Sequence, residues 1–122
     1  MNIEENSMQI ILQASDAKSN AFQAMEFARN HDFKAAEKKL EEAKANLLHA
    51  HKIQTALIQE DAGSRLGKIP LLLIHSQDHL MNAMAQKDLI EELIEMCKKQ
   101  TELEEKLAYL EQRINGEEVP NE

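Results

Sequence analysis

The stretch that decides the fold runs from Pro70 to Asn115 and reads PLLLIHSQDHLMNAMAQKDLIEELIEMCKKQTELEEKLAYLEQRIN. Its apolar residues recur every three or four positions, which is the spacing of one face of an α-helix. Pro70 suits the first turn of a helix, and Gly116 suits the position just after its end. The pattern therefore predicts one helix of roughly 45 residues, far longer than the ~11–12 residues of an average helix. Such a length is typical of coiled coils and helix bundles.

Two more helices are predicted upstream, each with an apolar stripe at helical spacing. The first spans about Ile3 to Arg29, and the second spans Phe33 to about Glu60. The first stripe consists of Ile10, Ala14, Ala17, Ala21, Met25 and Ala28, and the second consists of Ala36, Leu40, Ala43, Leu47 and Ala50. The break at residues 30–32 contains turn-forming types, and Asp32 is expected to cap the second helix. The stretch from Asp61 to Lys68 contains two of the three glycines and is predicted to be a mobile loop. Its glycines lack the spacing of a phosphate-binding loop, so we predict no nucleotide site there.

Composition limits the class of protein. With 122 residues, three glycines and two prolines, the whole chain is predicted to be one all-α domain, ending in a polar tail over residues 117–122. The formal net charge of −8 argues against nucleic acid or anionic lipid as the main partner. No apolar run approaches the ~20 residues of a membrane helix, and the N-terminus lacks the order of a signal peptide. We expect a cytoplasmic protein without direct membrane insertion, and the single Cys97 agrees with a reducing compartment.

One stripe of the third helix, which we call the seam, advances in steps of three and four residues. Its one extra step of four, before Leu93, resembles a coiled-coil stutter. The lower part of the seam is mostly leucine and predicts a coiled-coil interface. The seam consists of Leu71, His75, Asp78, Asn82, Ala85, Leu89, Leu93, Met96, Gln100, Leu103, Leu107, Leu110 and Ile114.

The upper part of the seam is polar, because His75, Asp78 and Asn82 fill positions that Leu or Met fill elsewhere. If parallel copies met along the seam, several Asp78 carboxylates would repel one another. A divalent cation would resolve that repulsion, and oxygen ligands select hard ions such as Mg²⁺. A polar layer that fixes the oligomer register is an equally good interpretation of the spacing.

His75 and His79 lie four residues apart and therefore share a helix face. The pair is consistent with a transition-metal site, although the Glu that follows the first His in a zinc-protease helix is missing. It is equally consistent with one imidazole acting as a nucleophile, since neutral histidine can accept a phosphoryl group. Spacing alone leaves both interpretations open and does not choose between the two histidines.

The string HSQDHLM, from His75 to Met81, resembles the signature of the lactose/cellobiose family of phosphotransferase-system enzyme IIA proteins. The resemblance implies an antiparallel three-helix bundle that assembles as a homotrimer through the long third helix. It covers about Ala14 to Lys98 and includes Asp32-Phe33, Glu42-Ala43, Ala50-His51, Gln54-Thr55, Asp61-Ala62-Gly63 and the run from Leu89 to Ile94.

The resemblance also implies roles for individual residues. His75 is expected to accept a phosphoryl group from the phosphocarrier HPr and to pass it to a cysteine of enzyme IIB, which serves uptake of a cellobiose-, chitobiose- or lactose-type sugar. Asp78 is expected to bind one divalent cation, Mg²⁺ by preference, shared by three chains. Gln77 and His79 match the motif and are expected to support the site, and His51 is expected near it across a subunit boundary.

Two features depart from the resemblance. Ser76 stands where Ala or Gly is common, and the helix continues from about residue 100 to 115 with its own apolar seam. That extension would either lengthen a trimeric stalk or create a further interface. The rival hypothesis is a non-enzymatic trimeric coiled-coil adaptor, whose polar layer or structural metal only fixes the register.

Overall fold

The computed structural model describes residues 2–64 and 70–116, without the side chains of residues 61–64. Over these ranges the chain forms three helices and no strand: α1 (Ile3–Arg29), α2 (Phe33–Ser64) and α3 (Leu71–Ile114). The all-α prediction and the number of helices are confirmed. The predicted loop begins four residues too early, because α2 continues to Ser64. The rest of that loop, at 65–68, and the polar tail at 117–122 lie outside the described residues.

The helix ends follow from short polar side chains. Asn2 caps α1, since its Oδ1 accepts the Glu5 N–H at 3.0 Å. The predicted cap at Asp32 is confirmed, because its Oδ1 accepts the Ala35 N–H at 3.2 Å. Gly116 follows the end of α3 with φ 72°, a left-handed conformation that glycine adopts without steric cost.

The three helices form an antiparallel bundle. The three-residue turn after α1 reverses the chain, and ordered contacts between α2 and α3 show that these helices also run in opposite directions. Lys98 of α3 meets Glu37 near the start of α2, whereas Gln77 meets Gln54 much further along it. Helix α1 packs extensively against both of the others, which contact each other far less.

The core is built largely from small side chains of α1, which allow the helices to approach closely. Its buried members on α1 are Ile10, Ala14, Ala17, Ala21, Ala24 and Ala28. All five predicted stripe positions on α2 are buried as well: Ala36, Leu40, Ala43, Leu47 and Ala50. The periodicity thus identified the core-facing side of α2 at every position and that of α1 at all but one. The predicted Met25 is only partly buried, and its neighbour Ala24 is buried instead.

Helix α3 has one face buried in the bundle and another exposed to solvent. Its buried face consists of Ser76, Leu80, Ala83, Ile90 and Ile94. Every residue of the seam is exposed instead, including Leu89 at 65% and Met96 at 64%. The seam therefore takes no part in the core of a single chain and presents a long apolar surface outward. No described helix combines the length and the apolar character needed to span a membrane.

Candidate functional site: a histidine pair on the long helix

The candidate site begins one turn into α3, where the buried face of the helix fixes its rotation. Ser76 is fully buried, and its Oγ donates a hydrogen bond to the Leu73 carbonyl oxygen at 2.6 Å. A helix turns about 100° per residue, so the inward position of Ser76 directs His75 outward. His75 is accordingly exposed. Serine in place of a smaller residue leaves the core intact because its hydroxyl is satisfied locally.

His75 and His79 are in direct contact. Their Nε2 atoms lie 2.9 Å apart, and the rings meet edge to face with centroids 4.4 Å apart and an interplanar angle of 88°. A hydrogen bond between two imidazole nitrogens needs one protonated and one unprotonated atom. When His79 donates from Nε2, His75 keeps a lone pair on its own Nε2 and carries its proton on Nδ1. The two histidines therefore form one site in which one ring can hold the other in a nucleophilic tautomer.

Asp78 is exposed on the seam, one turn from His75. Its carboxylate makes no hydrogen bond or ion pair with any described residue. Within the described ranges no three His, Cys, Asp or Glu side chains cluster closely enough to hold a metal ion. A site that takes one carboxylate from each of several chains would not exist in a single chain. Asp78 has the oxygen chemistry that such a site requires for a hard cation.

Gln77 faces away from His75 and towards α2. It lies two residues after His75, which places the two side chains on nearly opposite sides of the helix. The Gln54 side-chain amide donates to Gln77 Oε1 and so joins α2 to α3 beside the site. The predicted supporting role of Gln77 stays a prediction, and its visible contact is with the bundle. Sequence reasoning gave Gln54 no role, although the residue lay within the matched motifs.

His51 does not lie beside His75 in the same chain. It borders a shallow groove between α2 and α3 together with Leu48, Met84 and Lys87. Met84 follows His75 by nine residues, which corresponds to about 13 Å along a helix. Any contact of His51 with the site would have to cross a subunit boundary, as the resemblance predicts, and that contact stays a prediction.

Lys87 is the strongly paired cation of this groove. Its Nζ lies 2.7 Å from Asp88 and 2.9 Å from Glu91. Partial burial of Lys87 acts to lower its pKa, but the hydrogen bonds to Asp88 and Glu91 outweigh that cost and raise the pKa above the ordinary lysine value. Lys87 is therefore a fixed positive charge and is not a candidate general base.

A helical bundle that carries two contacting histidines on its longest helix, with His75 exposed and His79 partly buried, is the class of protein that this fold and site define. Residues 5–98 match the family model described as "PTS system, Lactose/Cellobiose specific IIA subunit". The chain belongs to this family of phosphotransferase-system components.

Individual relatives agree with that assignment. The chain is 44% identical over 100 residues to the lichenan-specific phosphotransferase enzyme IIA component of Bacillus subtilis, covering 82% of this chain and 91% of the relative. Its fold is similar to the crystal structure of the cellobiose-specific enzyme IIA from Bacillus anthracis, with TM-score 0.78, 39% identity, and 83% and 93% of the two chains covered. It is also similar to the chitobiose IIA in a solution structure of the complex with HPr from Escherichia coli. In that case the TM-score is 0.75 with 39% identity, and 83% and 98% of the chains are covered.

Proposed function

We propose that this chain is the phosphocarrier IIA component of a sugar phosphotransferase system and that His75 Nε2 carries the phosphoryl group. The single observation that carries the proposal is the exposed His75 ring, whose Nε2 lies 2.9 Å from His79 Nε2. Membership of the family supports the general reaction, and the His-His geometry supports the choice of atom.

The contact between the rings suits both stages of phosphoryl transfer. Before transfer, the Nε2–H of His79 donates to His75 Nε2 and keeps that nitrogen unprotonated. After transfer, the same N–H is positioned to donate to an oxygen of the phosphoryl group, where negative charge has arrived. His79 is therefore a positioning and charge-stabilising residue, while His75 forms the covalent bond.

The reaction has two balanced steps. In the first, the lone pair of His75 Nε2 attacks phosphorus of a phosphohistidine on HPr, the donor P–N bond breaks, and the donor imidazole takes back that electron pair. In the second, a cysteine thiolate of enzyme IIB attacks phosphorus, and His75 Nε2 regains its lone pair. HPr as donor is supported by the related chitobiose IIA, whose solution structure is a complex with HPr.

The decisive experiment is to incubate the purified chain with phosphoenolpyruvate, enzyme I and HPr and to measure its intact mass. We expect an acid-labile gain of one phosphoryl group that is absent in His75→Ala and present in the matched control Asn82→Ala. No gain on the wild-type chain would overturn the proposal. An unchanged gain in His75→Ala would move the phosphosite elsewhere, and a His75→Ala chain that retained every activity would favour the adaptor hypothesis.

We further propose that three chains assemble in parallel through the seam and share one divalent cation at Asp78. The proposal is supported by the exposure of every seam residue in the single chain and by the free carboxylate of Asp78. Three carboxylates gathered on one axis would repel one another, and a hard cation such as Mg²⁺ would neutralise them. Its chemistry there is charge neutralisation, which serves assembly, while His75 faces the partner proteins.

Metal analysis of the purified protein tests this assembly. We expect about one hard divalent ion per three chains, lost in Asp78→Leu, with phosphoryl acceptance by His75 retained. Zinc at one ion per chain, kept in Asp78→Leu and lost in His79→Ala, would contradict the proposal and support a histidine site for a transition metal.

The sugar of the system is proposed from the relatives alone, because IIA handles only the phosphoryl group. Relatives are named for lichenan, chitobiose, cellobiose, lactose and galactose, and the three disaccharides among these lead us to propose a sugar of the cellobiose, chitobiose or lactose type. The proposed location is the cytoplasm, where phosphoenolpyruvate and HPr are available. Sugar phosphorylation by membranes that contain each candidate permease, driven by this chain, would identify the substrate.

A further inference from the structure

The last part of α3 extends beyond the bundle. Among the described residues, Thr101 makes the last hydrogen bond between α3 and the rest of the chain, where its Oγ lies 3.0 Å from His31 Nδ1. Beyond Thr101, Leu103, Leu107, Leu110 and Ile114 of the seam are 53–82% exposed. The family match ends at residue 98, and related structures cover only 83% of this chain although 93–98% of their own length is matched. The extension is therefore an addition to the family domain, and the family gives it no role.

The extension has little reason to stay helical alone. From Thr101 to Ile114 it is about 20 Å long and buries no side chain in the bundle, whereas most helical stability in proteins comes from packing of an apolar face. Its apolar residues lie in an uninterrupted heptad register, with steps of three and four from Leu93 onward. Leu93, Gln100, Leu107 and Ile114 occupy a positions, and Met96, Leu103 and Leu110 occupy d positions. This arrangement is typical of a helix that packs against other helices along the seam.

The charges beside the seam indicate which partner fits. In this register the g positions are all basic, at Lys99, Lys106 and Arg113, while Glu104 and Glu111 occupy e positions. In a parallel, in-register coiled coil, each g residue faces the e residue five positions later on the neighbouring chain. Identical parallel copies would therefore pair Lys99 with Glu104 and Lys106 with Glu111. Antiparallel copies would place g beside g and e beside e, so that like charges meet.

The charged residues of the two proposed pairs form no ion pairs with described residues of the same chain. Lys99, Lys106 and Glu111 are exposed and form no ion pair with any described residue. Glu104 only accepts a hydrogen bond from the Gln100 side chain at 3.2 Å. The members of both proposed pairs are thus available to neighbouring chains.

We infer that residues 99–114 form a parallel, in-register coiled coil with the same segment of two further copies of this chain. The pairing rests on the heptads and the charges of the extension itself, and only the number of chains rests on the trimer in the proposed function. Gln100 supplies a polar a position, a feature that fixes register at some cost in stability. The extension is a clamp that holds the assembly together away from His75.

Cysteine cross-linking of the full-length chain tests the pairing. In a Cys97→Ala background, Leu103→Cys places thiols at a d position, and the matched control Glu105→Cys places them at the outward f position. Disulfides need Cα atoms within about 7 Å, so we expect Leu103→Cys to form disulfide-linked pairs of chains at least about tenfold faster. Equal rates would overturn the inference.

Charge reversal is the second test of the parallel pairing. Lys99→Glu with Lys106→Glu makes both members of each pair acidic, and we expect the dissociation constant of the assembly, measured by sedimentation equilibrium, to rise about tenfold or more. Adding Glu104→Lys and Glu111→Lys exchanges the charges of each pair and should restore the wild-type constant. Failure of this exchange to restore assembly would overturn the parallel pairing. A wild-type assembly with the mass of two chains would overturn the inference that three chains take part.

Phosphoryl acceptance by His75 is measured on the same variants and is expected to remain unchanged. A failed cross-link with normal phosphorylation would overturn this inference alone. Absent phosphorylation of the wild-type chain would count against the proposed function alone, because the coiled-coil pairing does not depend on it.

Discussion

The two halves of α3 differ in how their orientation is determined. Upper α3, residues 71–98, has a buried face that packs on the bundle and an exposed seam on the other side. Lower α3, residues 99–114, has the seam but buries no residue within the chain. Bundle packing therefore fixes the direction of His75 before any second chain binds, whereas only a partner can bury the lower seam. A single helix thus combines a histidine pair that the fold positions with an apolar surface that the single chain leaves exposed.

The largest expected effect on the free energy of unfolding comes from truncating a buried apolar residue of upper α3. Ile94→Ala should lower the free energy of unfolding by ~2–5 kcal/mol, because Ile94 is 1% exposed and its loss leaves a cavity in the core. Leu107→Ala is the matched control. It should change the unfolding of the dissociated chain by less than ~0.5 kcal/mol, because Leu107 is 59% exposed. Urea denaturation at concentrations where the chain is monomeric measures both values, and equal losses would erase the distinction between the halves.

A smaller effect is expected at the site itself. His79→Ala removes the donor that faces His75 Nε2 and should slow phosphoryl acceptance from HPr about 10²-fold, while His75 remains the acceptor. Rapid-quench measurement of the phosphorylation rate gives the result. Asn82→Ala, on the same exposed face, is the control and should retain the wild-type rate. A His79→Ala rate equal to wild type would show that the contact between the rings has no part in transfer.

The hydrogen bonds of Thr101, at the boundary between the halves, are expected to contribute about 1 kcal/mol to the free energy of unfolding. Thr101→Val keeps the shape of the side chain but removes the hydroxyl that contacts His31 Nδ1 and donates to the Cys97 carbonyl oxygen at 3.0 Å. The melting temperature of the monomeric chain should fall slightly. Hydrogen exchange should quicken around Thr101 but remain slow at Ile94. Faster exchange throughout upper α3 would mean that the boundary lies elsewhere.

The smallest effect is expected from the Lys98 ion pairs. Hydrogen bonds to Glu95 and then to Glu37 raise the pKa of Lys98 above the ordinary value of 10.5. A raised pKa in the folded state means that the stabilisation is complete below pH 10.5 and is lost as pH rises through the folded-state pKa. Lys98→Met should therefore cost only about 0.2–1 kcal/mol near neutral pH, less in high salt, and nothing at strongly alkaline pH. A cost that persisted at alkaline pH would indicate packing of the lysine stem instead.

Much of this fold follows from residues that interact within a few turns of one another. Alternating steps of three and four identified the core stripes of α1 and α2, and Asp32 marked the start of α2 by capping it. The end of α2 was missed, because the glycine at position 63 suggested a break where the helix continues to Ser64. The partner of Gln77 was missed as well, since its contact with Gln54 joins residues 23 positions apart on different helices.

The sequence by itself determined that the chain is helical, that His75 and His79 share a face, and that an apolar stripe, the seam, runs along α3. These properties depend on the 3.6-residue repeat and on local capping, and both involve residues that are close together in the sequence. Only the tertiary structure decided which of the two faces of α3 enters the core. Burial of Ser76, Leu80 and Ile94 against α1 and α2 leaves the seam and His75 outside, and that choice depends on helices distant in sequence.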